Sequence, residues 1–348
     1  MGLHRFSDGN VMDDQSDEAR MTSLRNAPAW RANDETLSTC VRCVRILLGL
    51  LVIIPASTFG SIKGVRATDL GGYKAVRVHY GPLNKMIMPV RINGQAANLL
   101  VDTGASHVML DTDAAASFGV KPSQRGLRYI RFSEINGQEL PLGFAQNLTA
   151  GNMSFGSILV TLRNSSHSGG GSAHVDGVLG LDLLMRYKAA INCRTKLVFF
   201  KVDQARQIHL ASVASAEKFA RIPLRREENG ALTVPCWLHG RSAKLLVDTG
   251  AFITTFDEAF LKTLGIPLEA TRVSAHFARG ITRKISAGKI NDLKIGDVKM
   301  RPAKFGATAL RNFALPQDDK GISGILGIDI LYAYHAIIDL DGMNLFLK

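Results

Sequence analysis

Two aspartates stand in the same heptapeptide. Leu-Leu-Val-Asp-Thr-Gly-Ala runs over residues 99–105 and again over 245–251, which places Asp102 and Asp248 146 residues apart. A repeated acidic motif lets one chain bring two carboxyl groups face to face. Like charges held about 3 Å apart cannot both ionise, so such a pair shares one proton between two sites. One member then serves as a base and the other as an acid, the combination needed to activate water for hydrolysis.

The repetition extends past the motif. Met-Pro-Val-Arg-Ile-Asn-Gly at 88–94 matches Val-Pro-Cys-Trp-Leu-His-Gly at 234–240, and Gly-Val-Leu-Gly-Leu-Asp-Leu-Leu at 177–184 matches Gly-Ile-Leu-Gly-Ile-Asp-Ile-Leu at 324–331. Each half closes on an apolar run, 197–200 and 345–347. Two copies predict two similar lobes, whereas a solenoid needs at least three repeats. Within each copy, β-branched runs broken by Asn-Gly, His-Gly, Arg-Gly and Gly-Asp read as strands and hairpins. Two brief helices are expected per copy. One follows the motif (112–118 and 258–264). The other begins after Leu-Gly-x-Asp, where Asp182 and Asp329 are placed to satisfy helix N-terminal amides.

The elements around these repeats divide the chain into five stretches. Residues 1–45 are polar and charged, a disordered leader by composition. Arg42 and Arg45 precede nine apolar residues, 46–54, and Pro55 follows. That pattern fits the core of a secretory signal ending near residue 67. A membrane span wants about 20 apolar residues, and 46–60 is shorter; an uncleaved anchor through 46–60 is the other reading. The expected location is therefore periplasmic or secreted, or membrane-anchored with the main part outside the cytoplasm. Lobe one is expected over 72–203, an Ala-rich linker with a short helix over 204–219, and lobe two over 220–348.

Composition narrows the function classes. The chain of 348 residues carries a net charge of +12, and 46% of its residues are hydrophobic. No basic block with interleaved aromatics occurs, so the charge reads as dispersed surface and nucleic acid is not an expected partner. Four cysteines are too few for a disulfide scaffold. Cys40 and Cys43 form a lone CxxC, and Cys193 with Cys236 are either bridged or two buried thiols. The nine histidines show no HExxH or paired-ligand spacing, so neither metal nor cofactor is expected. No Gly-x-Ser-x-Gly supports serine-based hydrolysis. Sequons start at Asn147, Asn152 and Asn164.

Two Asp-Thr-Gly-Ala motifs, each behind Leu-Leu-Val and each followed by an apolar-apolar-Gly element, resemble the aspartic peptidases. The Ala after Gly and the lobe length are similar to the retroviral-type (retropepsin-like) branch, here in a single-chain duplicated form as in bacterial aspartyl protease family proteins. The resemblance covers residues 75–348. It implies a mainly β fold of two similar closed-barrel-like lobes, related by pseudo-twofold symmetry with the active site between them. Asp102 and Asp248 would be the catalytic pair around one water, with no covalent intermediate. Thr103, Gly104, Ala105, Thr249, Gly250 and Ala251 would support the active loops, each Thr bonding across the lobe interface. Gly180 and Gly327 would pack beneath those loops. The turns at Asn136-Gly137 and Arg279-Gly280 are candidate flaps, with ordinary surface hairpins as the alternative.

The expected activity is that of an aspartic endopeptidase on peptides or unfolded protein, working as a monomer. The alternative is a catalytically inactive, peptide-binding envelope protein of the same fold. A Ser after the motif glycine could hydrogen-bond a carboxylate and favour its charge, whereas Ala105 and Ala251 cannot. The pair is therefore expected to titrate higher than a Ser-bearing one, with activity in weakly acidic to near-neutral conditions.

Overall fold

A computed structural model describes residues 70–81, 84–123, 132–135, 138–164, 174–206, 208–276, 282–310 and 321–348. The expected leader (1–45) and signal or anchor (46–67) lie outside the described residues. So do all four candidate flap residues, Asn136, Gly137, Arg279 and Gly280.

The first half contains β1 (Tyr73–Arg77), β2 (His79–Tyr80), β3 (Met86–Ile92), β4 (Gln95–Val101), β5 (Met109–Asp111), α1 (Thr112–Ser117), β6 (Phe132–Ile135), β7 (Gln138–Ala150), β8 (Met153–Arg163), β9 (Gly177–Leu179), α2 (Leu181–Arg186), β10 (Ala190–Asn192) and β11 (Leu197–Lys201). Helix α3 (Leu210–Ala216) follows. The second half contains β12 (Ala220–Pro223), β13 (Arg225–Arg226), β14 (Leu232–Leu238), β15 (Arg241–Val247), β16 (Thr255–Asp257), α4 (Glu258–Thr263), β17 (Leu268–His276), β18 (Thr282–Ile290), β19 (Lys294–Ile295), β20 (Val298–Lys299), β21 (Ala303–Thr308), β22 (Ile322–Leu326), α5 (Ile328–Ala333), β23 (Ile337–Asp339) and β24 (Asn344–Leu347).

Lobe one is a ring. Its strands run β3-β4-β9-β5-β8-β7, and β7 pairs back onto β3. The strands alternate as a barrel wall should, with Met86, Met88, Val90 and Ile92 among the core residues of β3. The tight connection from β3 to β4 is Asn93-Gly94, with φ of 50° and 85°. Both residues lie in the left-handed region that a two-residue I′ hairpin demands, which is why Asn and Gly occupy it. His239-Gly240 repeats the turn in lobe two, with φ of 49° and 73°.

Lobe two follows the order β14-β15-β22-β16-β21-β18 and closes by way of β19, which pairs with β14. Here the two long hairpin strands of lobe one are each broken in two. Strands β18 and β19 stand where β7 runs unbroken, and β20 and β21 stand where β8 does. The second break falls at Met300-Arg301-Pro302, and proline has no N–H to give a ladder.

A third sheet joins the lobes, in the order β1-β11-β10-β23-β24-β12. Its central pairing, β10 with β23, sets Ile191 opposite Ile338. Strand β11 reads Leu-Val-Phe-Phe-Lys and is buried along its whole length, the pattern of a strand covered on both faces. One face joins the main core, while Leu210, Val213 and Ala214 of α3 cover Ile337 and Phe346 on the other. The buried Lys201 donates to Asp341 Oδ2 at 2.7 Å, and Lys188 reaches Asp341 Oδ1 at 2.9 Å. Cys193 and Cys236 are both buried and unbridged, so the thiol alternative holds for this pair.

Candidate active site

Each Asp-Thr-Gly-Ala motif sits in a loop that leaves one barrel strand, passes over β9 or β22, and returns as the next strand. In lobe one, β9 lies between β4 and β5, parallel to the first and antiparallel to the second. Asp102 N donates to Leu179 O at 3.1 Å and Leu181 N to Ala105 O at 2.8 Å. Lobe two repeats this with Asp248 N to Leu326 O at 3.0 Å and Ile328 N to Ala251 O at 2.8 Å. The loop passes so close that a Cβ on Gly180 would lie 2.4 Å from His107 O, and one on Gly327 would lie 2.7 Å from the Ile253 carbonyl carbon. The Leu-Gly element thus supports the motif loops from beneath.

The two loops are locked to each other through their threonines. Thr103 Oγ1 donates to Val247 O at 2.7 Å and accepts from Thr249 N at 3.1 Å. Thr249 Oγ1 donates to Val101 O at 2.7 Å and accepts from Thr103 N at 3.1 Å. Both threonines are fully buried. Four groups that would otherwise be unpaired in the interior are satisfied across the interface.

The carboxyl groups stand between the locked loops. Asp102 Oδ1 accepts Gly104 N at 2.8 Å and Ala105 N at 3.1 Å; Asp248 Oδ1 accepts Gly250 N at 2.8 Å and Ala251 N at 3.0 Å. The two carboxyl groups are close enough for each to shift the titration of the other. A Cβ on Gly104 would lie 2.5 Å from Asp248 Cγ, and one on Gly250 2.4 Å from Asp102 Cγ. Each motif glycine is therefore required by the opposite lobe's carboxyl group. The expected pair and all six loop residues are brought together.

Burial pushes the Asp248 carboxyl well above the ordinary carboxylate range, with the Asp102 charge adding to it. Burial also raises Asp102, while the hydrogen bond from Asp248, the Gly104 and Ala105 amides and the charge of Arg163 pull it back down. The pair titrates as one unit in two steps, and the shared proton belongs to the pair.

Asp182 and Asp329 do more than cap helices. Asp182 takes the Leu183 N–H at 2.8 Å but also holds Val108 N at 3.1 Å, just past the motif. Asp329 accepts both Thr254 N at 2.8 Å and Thr254 Oγ1 at 2.7 Å. The helices start at Leu181 and Ile328 behind glycine N-caps that carry no side-chain bond. Thr254 and Arg163 went unseen in the sequence reading. An overlay of the two repeats at the 146-residue offset sets Thr254 against Val108, whereas the match of Arg163 with Thr308 shows only in the strand registers, Asp111 opposite Arg163 and Asp257 opposite Thr308.

Among the described residues no group of three or more His, Cys, Asp or Glu is arranged to hold a metal ion. A cavity of about 360 Å³ lies between α3 and the joining sheet, lined by Tyr73, Lys188, Arg221 and Asp339 among others, and contains neither carboxyl of the pair.

A family model described as aspartyl protease matches residues 88–183 and again residues 234–330. DNA damage-inducible protein 1 of Yarrowia lipolytica is 28% identical over 109 residues, 31% of this chain and 25% of that protein. The matched stretch thus spans about a quarter of that relative's length. Among solved structures, the aspartic proteinase from Irpex lacteus aligns with 79% of this chain and 97% of its own at 14% identity, with a TM-score of 0.47. Basic 7S globulin from soybean aligns with 80% of this chain and 94% of its own at 11% identity, with a TM-score of 0.45.

Proposed function

The chain belongs to the aspartyl protease family, whose model covers both of its halves, and from that premise we propose that it is an aspartic endopeptidase acting on peptides or unfolded protein through Asp102 and Asp248. The observation that carries the proposal is the placing of two half-buried carboxyl groups from opposite lobes, each so close against the other lobe's motif glycine that a Cβ there would lie 2.4–2.5 Å from its Cγ. A binding protein has no need of two like charges held together out of water, an arrangement that costs stability unless a proton is retained.

In the proposed reaction a water sits between the carboxyl groups. Ionised Asp102 removes one of its protons as the oxygen attacks the peptide carbonyl carbon. Asp248 passes its proton to the carbonyl oxygen, giving a neutral tetrahedral intermediate. Collapse breaks the C–N bond, and the departing nitrogen takes a proton from the pair. The backbone amides at residues 104, 105, 250 and 251 hold both carboxyl groups in place, so little reorganisation is needed during the reaction.

The test is hydrolysis of an unfolded protein with and without a statine-type transition-state mimic. The proposal expects cleavage that the mimic blocks and that Asp102→Asn and Asp248→Asn each abolish. Unchanged cleavage in either variant overturns the pair.

We further propose that this peptidase works outside the cytoplasm, on the support of the apolar run 46–54 behind Arg42 and Arg45. Among the described residues no helix is long and apolar enough to cross a membrane. An export-dependent reporter fused after residue 67 turns on if the proposal holds and stays silent if it does not.

A further inference from the structure

The outer walls of the two barrels share one strand lattice and carry different chemistry. In lobe two, Lys289 of β18 stands opposite Lys304 of β21, and Lys294 of β19 stands opposite Lys299 of β20. The two rungs belong to one ribbon, because Met300 N donates to Leu293 O at 2.8 Å across the break between them. On its other side Lys294 meets Trp237 of β14. Ile290, Leu293, Ile295, Met300 and Phe305 of the same ribbon belong to the barrel core, whereas all four lysines are exposed. The lysines therefore project from the outer wall. Trp237 is 39% exposed beside them.

Lobe one has the same rungs. Phe144 stands opposite Leu159 and Thr149 opposite Ser154, with Arg91 beside Thr149 where lobe two has Trp237. Residues 144–159 hold no charged side chain, whereas 289–304 hold five Lys or Arg and two Asp. The fold thus accepts neutral rungs at these positions, and lobe two sets like charges face to face instead, which destabilises a sheet. The neighbouring carboxylates offset this only in part. Glu269 Oε2 takes Lys304 Nζ at 2.6 Å, and Asp292 Oδ2 is held by His239 N at 3.0 Å.

We propose that this wall of lobe two is a docking face for a bilayer rich in anionic phospholipid, held by Lys289, Lys294, Lys299 and Lys304 with Trp237 set among the headgroups. Opposite residues on a rung lie about 5 Å apart, and the two rungs are at most about 17 Å apart along the ribbon. A charged surface therefore meets all four ammonium groups at once. Lysine is a compact, hydrated point charge suited to a diffuse layer of headgroups, whereas bidentate reading of single phosphates in nucleic acid favours arginine. A lone indole with an apolar body and a polar N–H sits well at headgroup level; binding single-stranded bases would call for successive aromatics. Each lysine near such a surface strengthens binding about fivefold. The docking is independent of the peptidase reading and holds whether or not the chain cleaves peptides.

The experiment is co-sedimentation of the full chain with vesicles of phosphatidylcholine alone or of phosphatidylcholine with about one-third phosphatidylglycerol. The apolar run 46–54 is present in every arm, so the ratio of the two affinities reports the charge. The expected ratio is about a hundredfold or more, falling away at about 1 M salt. Replacing Lys294→Gln together with Lys299→Gln should lower it about twenty-five-fold. Lys121→Gln with Lys218→Gln removes the same charge from exposed sites outside the wall and should leave the ratio within about threefold. In a Trp30→Phe chain, where Trp237 is the remaining tryptophan, its emission should shift to the blue with the anionic vesicles. Equal affinity for both vesicles, or an equal fall in both double variants, overturns the inference. Duplex DNA that binds more tightly than the vesicles, and loses affinity in the Lys294/Lys299 variant, overturns it in favour of nucleic acid. If that variant does not fold, the Trp237 shift decides: its presence supports the docking and its absence overturns it.

Discussion

Lobe one and lobe two carry nearly superposable active loops on barrels that are built differently. The motif loops agree bond for bond, with Thr103 and Thr249 making the same contacts at the same distances. The barrels do not. In lobe one, Asn93 at the hairpin turn reaches out to take Gln146 N at 2.9 Å and Asn147 N at 3.1 Å, and gives a hydrogen bond to Phe118 O at 2.9 Å. In lobe two the roles are exchanged, and the turn's His239 N is held by Asp292 Oδ2 at 3.0 Å. The comparison separates what the chemistry demands from what the fold tolerates. A shared proton requires matched geometry on both sides, so the loops match. A barrel wall requires only that its backbone groups find partners, so the walls diverge.

The largest expected difference between matched and unmatched parts is in activity. Asp102→Asn and Asp248→Asn should each lower kcat/KM by about 10²–10⁴-fold, the scale of a lost general acid or base. Asn93→Ala or Asp292→Ala should leave it within about threefold. Steady-state kinetics on one peptide checks all four.

The same Asp248→Asn change should raise stability. Burial holds the Asp248 pKa above its unfolded value, so its contribution is fully present below the unfolded pKa and lost as pH rises through the folded one. A neutral isostere removes that loss. The variant should match the unmodified protein at pH 4 and melt higher at pH 7, by about 2–4 °C for each kcal/mol recovered. Equal melting at both values would contradict the retained proton.

Stability should also distinguish the lobes. Thr103→Ala and Thr249→Ala each leave a buried N–H and C=O unpaired and should cost the same, about 1–3 kcal/mol. Asn93→Ala forfeits three hydrogen bonds and Asp292→Ala one at the turn, so the first should cost about 1–2 kcal/mol more. Asp329→Ala, which releases both Thr254 N and Oγ1, should exceed Asp182→Ala by about 1 kcal/mol. Urea unfolding ranks these variants, and an unequal threonine pair would break the symmetry argued here.

The smallest effect concerns pH. Arg163 favours the charged form of Asp102 and so lowers its pKa. Arg163→Thr should move the acidic limb of the rate profile upward by a few tenths of a unit, a shift of about half a kcal/mol. No movement, or movement toward acid, would place Arg163 away from the pair.

Much of this site could be read before any coordinates, and the reason is physical. Asp102, Thr103 and Gly104 recur as Asp248, Thr249 and Gly250 because the site needs a carboxyl, a hydroxyl to cross the interface, and no side chain where the opposite carboxyl stands. Each demand selects one or two residue types, so the pattern is visible in sequence. The barrels were legible as a class, through alternation and the Asn93-Gly94 turn. The joining sheet was not, because β10 meets β23 across about 150 residues of chain and nothing local encodes that partner. The double duty of Asp182 and Asp329 was partly hidden, since an acid in a helix's first turn already has a sufficient local explanation. Arg163 at the end of an alternating strand looks like any surface arginine until the opposite lobe shows Thr308 in its place.

The central claim is that one proton is shared between carboxyl groups from two lobes, and it is tested most directly by ¹³C NMR titration of the aspartate side chains in the unmodified protein and in Asp248→Asn. The account predicts two coupled steps belonging to the pair, the upper one well above the ordinary carboxylate range, and a single uncoupled step from Asp102 once Asp248 is replaced. Two independent titrations in the ordinary range, unaltered at Asp102 by the substitution, would contradict it.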